Sequence, residues 1–435
     1  MRTVTRLLLV MSFLFGFMWA VAAFAEVNVQ CPCYQLDAVG RADPTTPVVV
    51  GGNVLSFTRN NADGNDECLI RDAHNVVHDY VCKQLAAGDG HVYMADRDRS
   101  CDPTVSNCPN GDLYTFGFSD VTGVASEDVM DTGMLASNTP GPTIVAKEGQ
   151  EMFLSLTNVG MHERPDLFDP HTVHNHGFPN AGPIFDGEPM ASVGIHMGST
   201  FTYYYKWVEP GTYMYHCHVE AAEHMQMGML ANLFVRPAQD DNSVLKSFGG
   251  YAGFAYNDGD VSTGYHVAYP LQLTGFDPKF HHADHTYNKV DFAAMDDTYL
   301  CFNGRGYPDT VDVNPIANVY DHVSQSIPSL ITAAQGQKIL LRISSLVTTD
   351  FFTILSPGIP MRVVGQGARQ LRATTGANNY YLTNSVTLGG GEANDVILDT
   401  TNVLPGTYFV YTANLHHLAN DKEDFGGAMT EIHVQ

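Results

Sequence analysis

The sequence predicts an all-β fold, with two β-sandwich domains behind a cysteine-rich, loop-rich N-terminal extension. Two observations carry that prediction. From about Gly111 onward the chain runs in short segments rich in Val, Tyr, Phe and Thr, separated by Gly, Pro and Asn turns, with no long amphipathic helical pattern between them; strand-length runs at this spacing are those of a sandwich or barrel. Before that point lie six of the eight cysteines, Cys31, Cys33, Cys68, Cys82, Cys101 and Cys108, among Gly-, Asp- and Asn-rich stretches.

Taken in order, residues 1–25 read as a secretory signal peptide. Arg2 and Arg6 precede an apolar run from Leu7 to Ala25, and Ala23-Phe24-Ala25 puts small residues before a cleavage point at Glu26. No later stretch is long and apolar enough to span a bilayer. The expected compartment is therefore periplasmic or extracellular, where disulfides persist. Residues 26–110 form the cysteine-rich extension, whose cysteines are expected to bridge in a connectivity that spacing does not give. Cys31-Pro32-Cys33 reads as structural rather than as a redox or metal pair, and Asp63 to Glu67, which lacks EF-hand spacing, as a solvated loop. Residues 111–238 form the first β-domain, with strands expected at Leu113 to Phe118, Glu151 to Thr157, Ser199 to Tyr205, Thr212 to Tyr215 and Leu230 to Val235. The polar residues from Gln239 to Ser243 open a linker over 239–250. The β pattern then resumes through a second domain, 251–435, in Lys338 to Ile343, Met361 to Val364, Val396 to Leu398 and Thr407 to Tyr411.

Composition limits the partners. Lys and Arg number 22 against 47 Asp and Glu, a formal charge of −25. A polyanion of that strength is repelled by nucleic acid and by anionic lipid, so neither is expected as a partner once the signal peptide is removed.

The chemistry concentrates in two segments, His171-Thr172-Val173-His174-Asn175-His176-Gly177 and Tyr215-His216-Cys217-His218, the latter followed by His224 and Met229. Alternate residues of a strand face opposite sides. Extended, His216 and His218 share one face with Cys217 on the other; His174 and His176 likewise share a face, and His171 points away from them. Two such strands side by side sort the ligands into two groups. Cys217, His171, His224 and one methionine offer a thiolate, two imidazoles and a weak thioether, the donor set of a trigonal electron-transfer copper site. His174, His176, His216 and His218 form an all-imidazole set suited to copper or zinc. Because His216 and His218 flank Cys217 covalently, an electron on the thiolate side reaches the other face through a few bonds.

At these residues the sequence resembles the multicopper oxidase family. His171-x-x-His174-x-His176-Gly177 is similar to the histidine motif of its type 1 copper half, and His216-Cys217-His218 to the closing motif. Asn138-Thr139-Pro140-Gly141-Pro142-Thr143-Ile144 with Glu148-Gly149, and Phe302 to Thr310, are similar to flanking segments of the family. The resemblance covers roughly residues 111–435 and implies two cupredoxin-like Greek-key sandwiches. It makes His171, Cys217 and His224 type 1 copper ligands, with Met229 axial from the Gly228-Met229 ending, and puts His174, His176, His216 and His218 at type 2 and type 3 copper positions.

Two departures stand out. Five residues, Val219 to Glu223, separate His218 from His224 where the family usually has three, so Met225 or Met227 competes with Met229 as axial ligand. In the second domain, Asp350 to Leu355 and Thr412-Ala413-Asn414 occupy the motif positions without histidine. His281, His282, His285, His416 and His417 do not match the motif spacing. The second domain therefore reads as a copper-free cupredoxin kept for packing. Copper nitrite reductases, usually trimers, also carry type 1 copper in the first of two domains. They have an acidic residue at the position of His174 and no histidine at that of His218.

The implied function is that of an exported copper-binding oxidoreductase of multicopper oxidase type. It would pass electrons from a type 1 copper to a neighbouring histidine-bound copper, exchanging them with a small molecule or a redox protein. The alternatives are a non-catalytic type 1 copper electron carrier and a nitrite-reductase-like enzyme, for which a homotrimer would be the expected assembly.

Overall fold

The structure is a computed structural model that describes residues 27–38, 40–94, 112–420 and 424–435. The signal peptide, Cys101 and Cys108 lie outside the described residues, in which no helix is long and apolar enough to cross a membrane.

The first sandwich is built from β1 (Val54–Thr58), β2 (Asp66–Arg71), β3 (Val77–Tyr93), β4 (Asp112–Asp120), β5 (Ile144–Lys147), β6 (Glu151–Gly160), β7 (His174–His176), β8 (Thr200–Lys206), β9 (Gly211–His216), the short helix α1 (Ala221–Gln226) and β10 (Leu230–Arg236). One sheet runs β8-β6-β3-β2-β1, with β4 also on β3; the other runs β5-β10-β9-β7. Between them lies a core of Leu85, Phe116, Leu154, Leu156, Tyr203, Trp207, Tyr215, Leu233 and Cys217. Each large apolar side chain buried there contributes about 1.5–3 kcal/mol of transfer free energy.

The cysteine-rich stretch is more than a stapled flank. Its β3 is 17 residues long. The strand pairs with β2 at its start, runs parallel to β6 in the middle and pairs with β4 at its end. The first sandwich thus draws three strands from residues before 110. Disulfides Cys31–Cys82 and Cys33–Cys68 tie the N-terminal segment to β3 and β2, which gives Cys31-Pro32-Cys33 a structural role. The Asp63 loop is tied to the sheet by an ion pair with Arg236. The expected linker is also ordered: it holds a 3-10 turn at Ala238–Asp241 and a helical turn at Ser243–Ser247, and Asp240 accepts a hydrogen bond from the Phe254 N–H at 2.8 Å.

The second sandwich contains β11 (Val267–Phe276), α2 (Pro278–His285), β12 (Tyr299–Phe302), β13 (Ile331–Ala333), β14 (Lys338–Ser345), β15 (Phe352–Leu355), β16 (Met361–Gln366), β17 (Ser385–Leu388), β18 (Ala393–Asp399), β19 (Gly406–Thr412) and β20 (Met429–Val434). Its sheets run β12-β11-β14-β18-β16, extended by two short strands, and β13-β20-β19-β15-β17. The second sheet repeats the first domain's β5-β10-β9-β7 order, including the parallel pair at the start.

Strand β9 shows how the two domains meet. All six of its residues are buried. Tyr213 and Tyr215 point into the first core. The alternate side chains, Thr212 and Met214, point outward and are covered by the second domain: Thr212 donates to Asp395 at 2.5 Å, and Met214 packs with Leu346 and Ala393. His216 lies on that same outward face by strand parity. Arg342 and Tyr256 complete the hydrogen bonding of Asp395, so this buried carboxylate is paired.

Candidate metal centre

Two groups of potential metal ligands form on opposite sides of β9. On the core side, Cys217 Sγ lies 3.1 Å from His224 Nδ1 and 3.9 Å from His171 Nδ1. All three residues are buried. Thr172 bridges the motifs: its backbone N–H lies 3.4 Å from Cys217 Sγ, and its hydroxyl accepts from the His218 N–H at 3.0 Å. Burial pushes the Cys217 thiol up to about 11, lowers His224 to about 4 and holds His171 well below the usual imidazole range. Both imidazoles are therefore neutral at pH 7, the form that binds a metal.

The extra residues before His224 fold into α1. Glu220, in the left-handed region at φ 44°, starts the helix, and the turn brings His224 Nδ1 back to Cys217. The second domain fixes the end of this helix. Gln226 Nε2 donates to Asp297 Oδ1 at 2.8 Å and to Thr348 Oγ1 at 3.1 Å, and its Oε1 accepts from the Asp277 N–H at 2.9 Å. Met227 and Met229 belong to the core that contains Cys217, whereas Met225 packs against Met214, Leu230, Leu346 and Ala393. Gly228 has φ 113°, and a side chain there would meet the Phe116 carbonyl at 2.8 Å, so the turn into Met229 requires glycine.

On the outer side, His216 lies opposite His174, and Met214 opposite His176. His176 Nδ1 is 3.3 Å from His216 Nε2. Ring centroids separate His174 from His218 by 5.0 Å, His174 from His216 by 5.3 Å and His216 from His218 by 5.5 Å. His174 Nδ1 donates to the Asp186 carbonyl, and His216 Nδ1 to the Cys217 carbonyl, each at 2.7 Å. These bonds leave Nε2 of both rings clear of the backbone carbonyls and available to a metal ion. Burial lowers His216 to about 3 and His176 in the same direction. Gly391 of the second domain closes over this group, since a side chain at its φ of 85° would stand 2.6 Å from His176 Nε2.

The second domain adds no histidine motif here. Counted from the shared Gly-Thr-Tyr start of β9 and β19, His216, Cys217 and His218 correspond to Tyr411, Thr412 and Ala413. Residue Tyr411 lies opposite Leu355, as His216 lies opposite His174. The matching trio is thus one residue earlier than the motif comparison put it, and neither trio carries a histidine. Of the remaining histidines, His281 sits between the Tyr114 and Gln226 carbonyls, His417 lies beside Asp350, and His285 joins a separate group with His91 and Glu163. Sequence reasoning missed Thr172, Asp186, Gln226 and Gly391, which act through backbone groups, a local hydroxyl or contacts between the two domains. Only the position of Thr172 inside the first motif gave a signal.

The donor sets fit copper. In the inner group a thiol faces two neutral imidazole nitrogens, while the far nitrogens, His171 Nε2 and His224 Nε2, find no hydrogen-bond partner among the described residues. A cation completes this cluster, and one thiolate and two imidazoles with the thioether of Met229 in the same core make the donor set of a trigonal copper site.

The comparisons agree. Residues 123–240 match the multicopper oxidase family. A multicopper oxidase of Mycobacterium tuberculosis, MmcO, is 36% identical over 91 residues, 21% of this chain and 16% of that protein. The chain thus aligns with under a fifth of that relative's length. A blue copper oxidase from Nitrosomonas europaea superposes with a TM-score of 0.57 at 22% identity, over 81% of this chain and 85% of its own. The copper nitrite reductase of the same organism gives 0.51 at 16% identity, over 82% and 94%. At these identities the superpositions establish the cupredoxin fold alone. Residues 123–240, with both histidine motifs, are therefore similar to the multicopper oxidase family, within a chain of two cupredoxin-like sandwiches.

Proposed function

We propose that the protein is an exported copper-binding oxidoreductase of multicopper oxidase type, with His171, Cys217 and His224 as type 1 ligands, Met229 as the axial donor, and His174, His176, His216 and His218 as a second copper site. The observation that carries this reading is the convergence of Cys217, His171 and His224 on one face of the strand whose neighbouring histidines gather on the other. Bound at these sites, copper supplies one-electron chemistry. The chain holds the inner donors and His216 buried and the other outer histidines half-buried, all pre-positioned, so little rearrangement accompanies a change of charge. Cys217 and its peptide links to His216 and His218 form the conduit between the faces, and the Thr172 N–H directed at Sγ tunes the thiolate by hydrogen bonding. The electron partner is a small molecule or a redox protein, and the −25 charge favours a basic one. Nucleic acid and membrane are not partners of the mature chain. Copper analysis together with oxygen uptake on phenolic and metal-ion substrates tests this: more than one copper per chain with turnover is expected, and one copper without turnover contradicts it.

One observation favours a second reading, a non-catalytic type 1 electron carrier. The second domain presents Tyr411, Thr412 and Ala413 where a complete oxygen-reducing centre would draw histidines from a second domain. Oxygen consumption coupled to substrate oxidation excludes it.

A further inference from the structure

A third ligand cluster lies at the domain boundary, apart from both groups on β9. His91 on β3 and Glu163 after β6 come from the first domain, and His285 at the end of α2 comes from the second. His91 Nε2 is 3.2 Å from Glu163 Oε1, and His285 Nε2 is 2.6 Å from Glu163 Oε2. The three ligand atoms all lie within 4.8 Å of one another. Ligands about 2.0–2.2 Å from a tetrahedral metal ion stand roughly 3.3–3.5 Å apart, so a small outward shift of His285 admits an ion.

The surroundings are those of a metal site more than of a simple hydrogen-bonded trio. His91 Nδ1 is bound by Asp112 Oδ1 at 3.0 Å, which aims Nε2 at the cluster; a carboxylate behind a ligating imidazole orients the ring and raises its basicity. His285 is held in place by stacking on Tyr114, with ring centroids 4.4 Å apart. Asp89 accepts from the Glu163 N–H at 2.8 Å and from the Tyr114 hydroxyl at 3.0 Å. Two carboxylates, Asp112 and Glu163, thus bond the two imidazoles, Glu163 accepting also from the Tyr320 hydroxyl, and Asp89 stands behind Glu163, negative charge that a divalent cation offsets.

We propose that His91, Glu163 and His285 form a divalent transition-metal site of the two-histidine, one-carboxylate type that clamps the two domains together. With three protein ligands and His285 partly exposed, a coordination position stays open to water, and the donors suit Zn(II) as in other two-histidine, one-glutamate zinc sites.

The full-length protein, loaded with copper as purified, is incubated with Zn(II), desalted and analysed for zinc per chain, with Co(II) as the spectroscopic probe. The expected result is one zinc beyond the copper content, visible d–d bands with Co(II), and a rise in the unfolding temperature on zinc addition. H285Q should lower zinc affinity more than tenfold, and D112N about 10–100-fold. His285 and Asp112 are partly exposed, so both variants should keep the wild-type far-ultraviolet circular dichroism. No zinc retained by the wild type, or equal retention by a folded H285Q variant, overturns the proposal.

Discussion

Replacing Gln226 by alanine tests whether the second domain holds the copper loop of the first. The side chain is fully buried and makes four hydrogen bonds across the boundary, the weakest to Met295 Sδ at 3.4 Å. A bond to a charged acceptor, here Asp297, contributes about 1.5–3 kcal/mol, and the neutral bonds to Thr348 and from Asp277 about 0.5–1.5 kcal/mol each. The substitution should cost roughly 3–5 kcal/mol. Asp297 keeps its bond from Thr349 at 2.8 Å. Burial raises its pKa above the usual carboxylate range, so protonation at low pH relieves part of the loss. Because His224 lies two residues from Gln226 on the same short helix, the visible thiolate-to-copper band should weaken along with stability. Q226E should be worse than Q226A, since it sets a second carboxylate against Asp297. Urea unfolding and absorption spectra of both variants provide the assay. A Q226A loss below about 0.5 kcal/mol, the size of an ordinary surface substitution, with an unchanged band would refute the scaffold role.

The two copper faces should separate by mutation: C217S is expected to abolish the intense visible band while metal stays on the outer histidines, and H216A/H218A to do the reverse, as read by absorption and metal analysis. G391V, which forces a side chain at positive φ onto His176, should reduce outer-face copper severalfold and spare the inner band. Metal-free protein should lose stability as pH falls from about 6.5 toward 4. The buried His171, His216 and His224 have folded pKa values below the unfolded one, so the unfolded chain binds more protons in that window. Urea midpoints at pH 7 and pH 5 check this, and a smaller drop in H224Q is the specific expectation.

Much of the site was legible because strand parity is a local rule. Spacing alone put His216 and His218 on one side of Cys217; His174, His176 and His216 lie within ligand reach of one another, while His218, past the end of β9, adds ring contacts with His174 and His216. What lay beyond reach was non-local. The composition of residues 77–93 marks no interior strand, because a strand covered on both faces lacks alternation, so β3 read as part of the extension. The five-residue spacing before His224 signalled a longer loop, but its helical turn depends on Gln226 reaching Asp297 in another domain. Similarly, His285 matched no motif because its partners, His91 and Glu163, are more than 100 residues away in sequence and only the docking of the two sandwiches brings them together.

The central claim is that one strand carries a thiolate copper site on one face and a histidine copper site on the other. The most direct test is copper stoichiometry with an electron paramagnetic resonance spectrum of the purified protein. The account predicts one type 1 copper per chain, lost in C217S, together with further copper that is lost in H216A/H218A. Absence of the type 1 signal, or a copper content unchanged by the histidine substitutions, would contradict it.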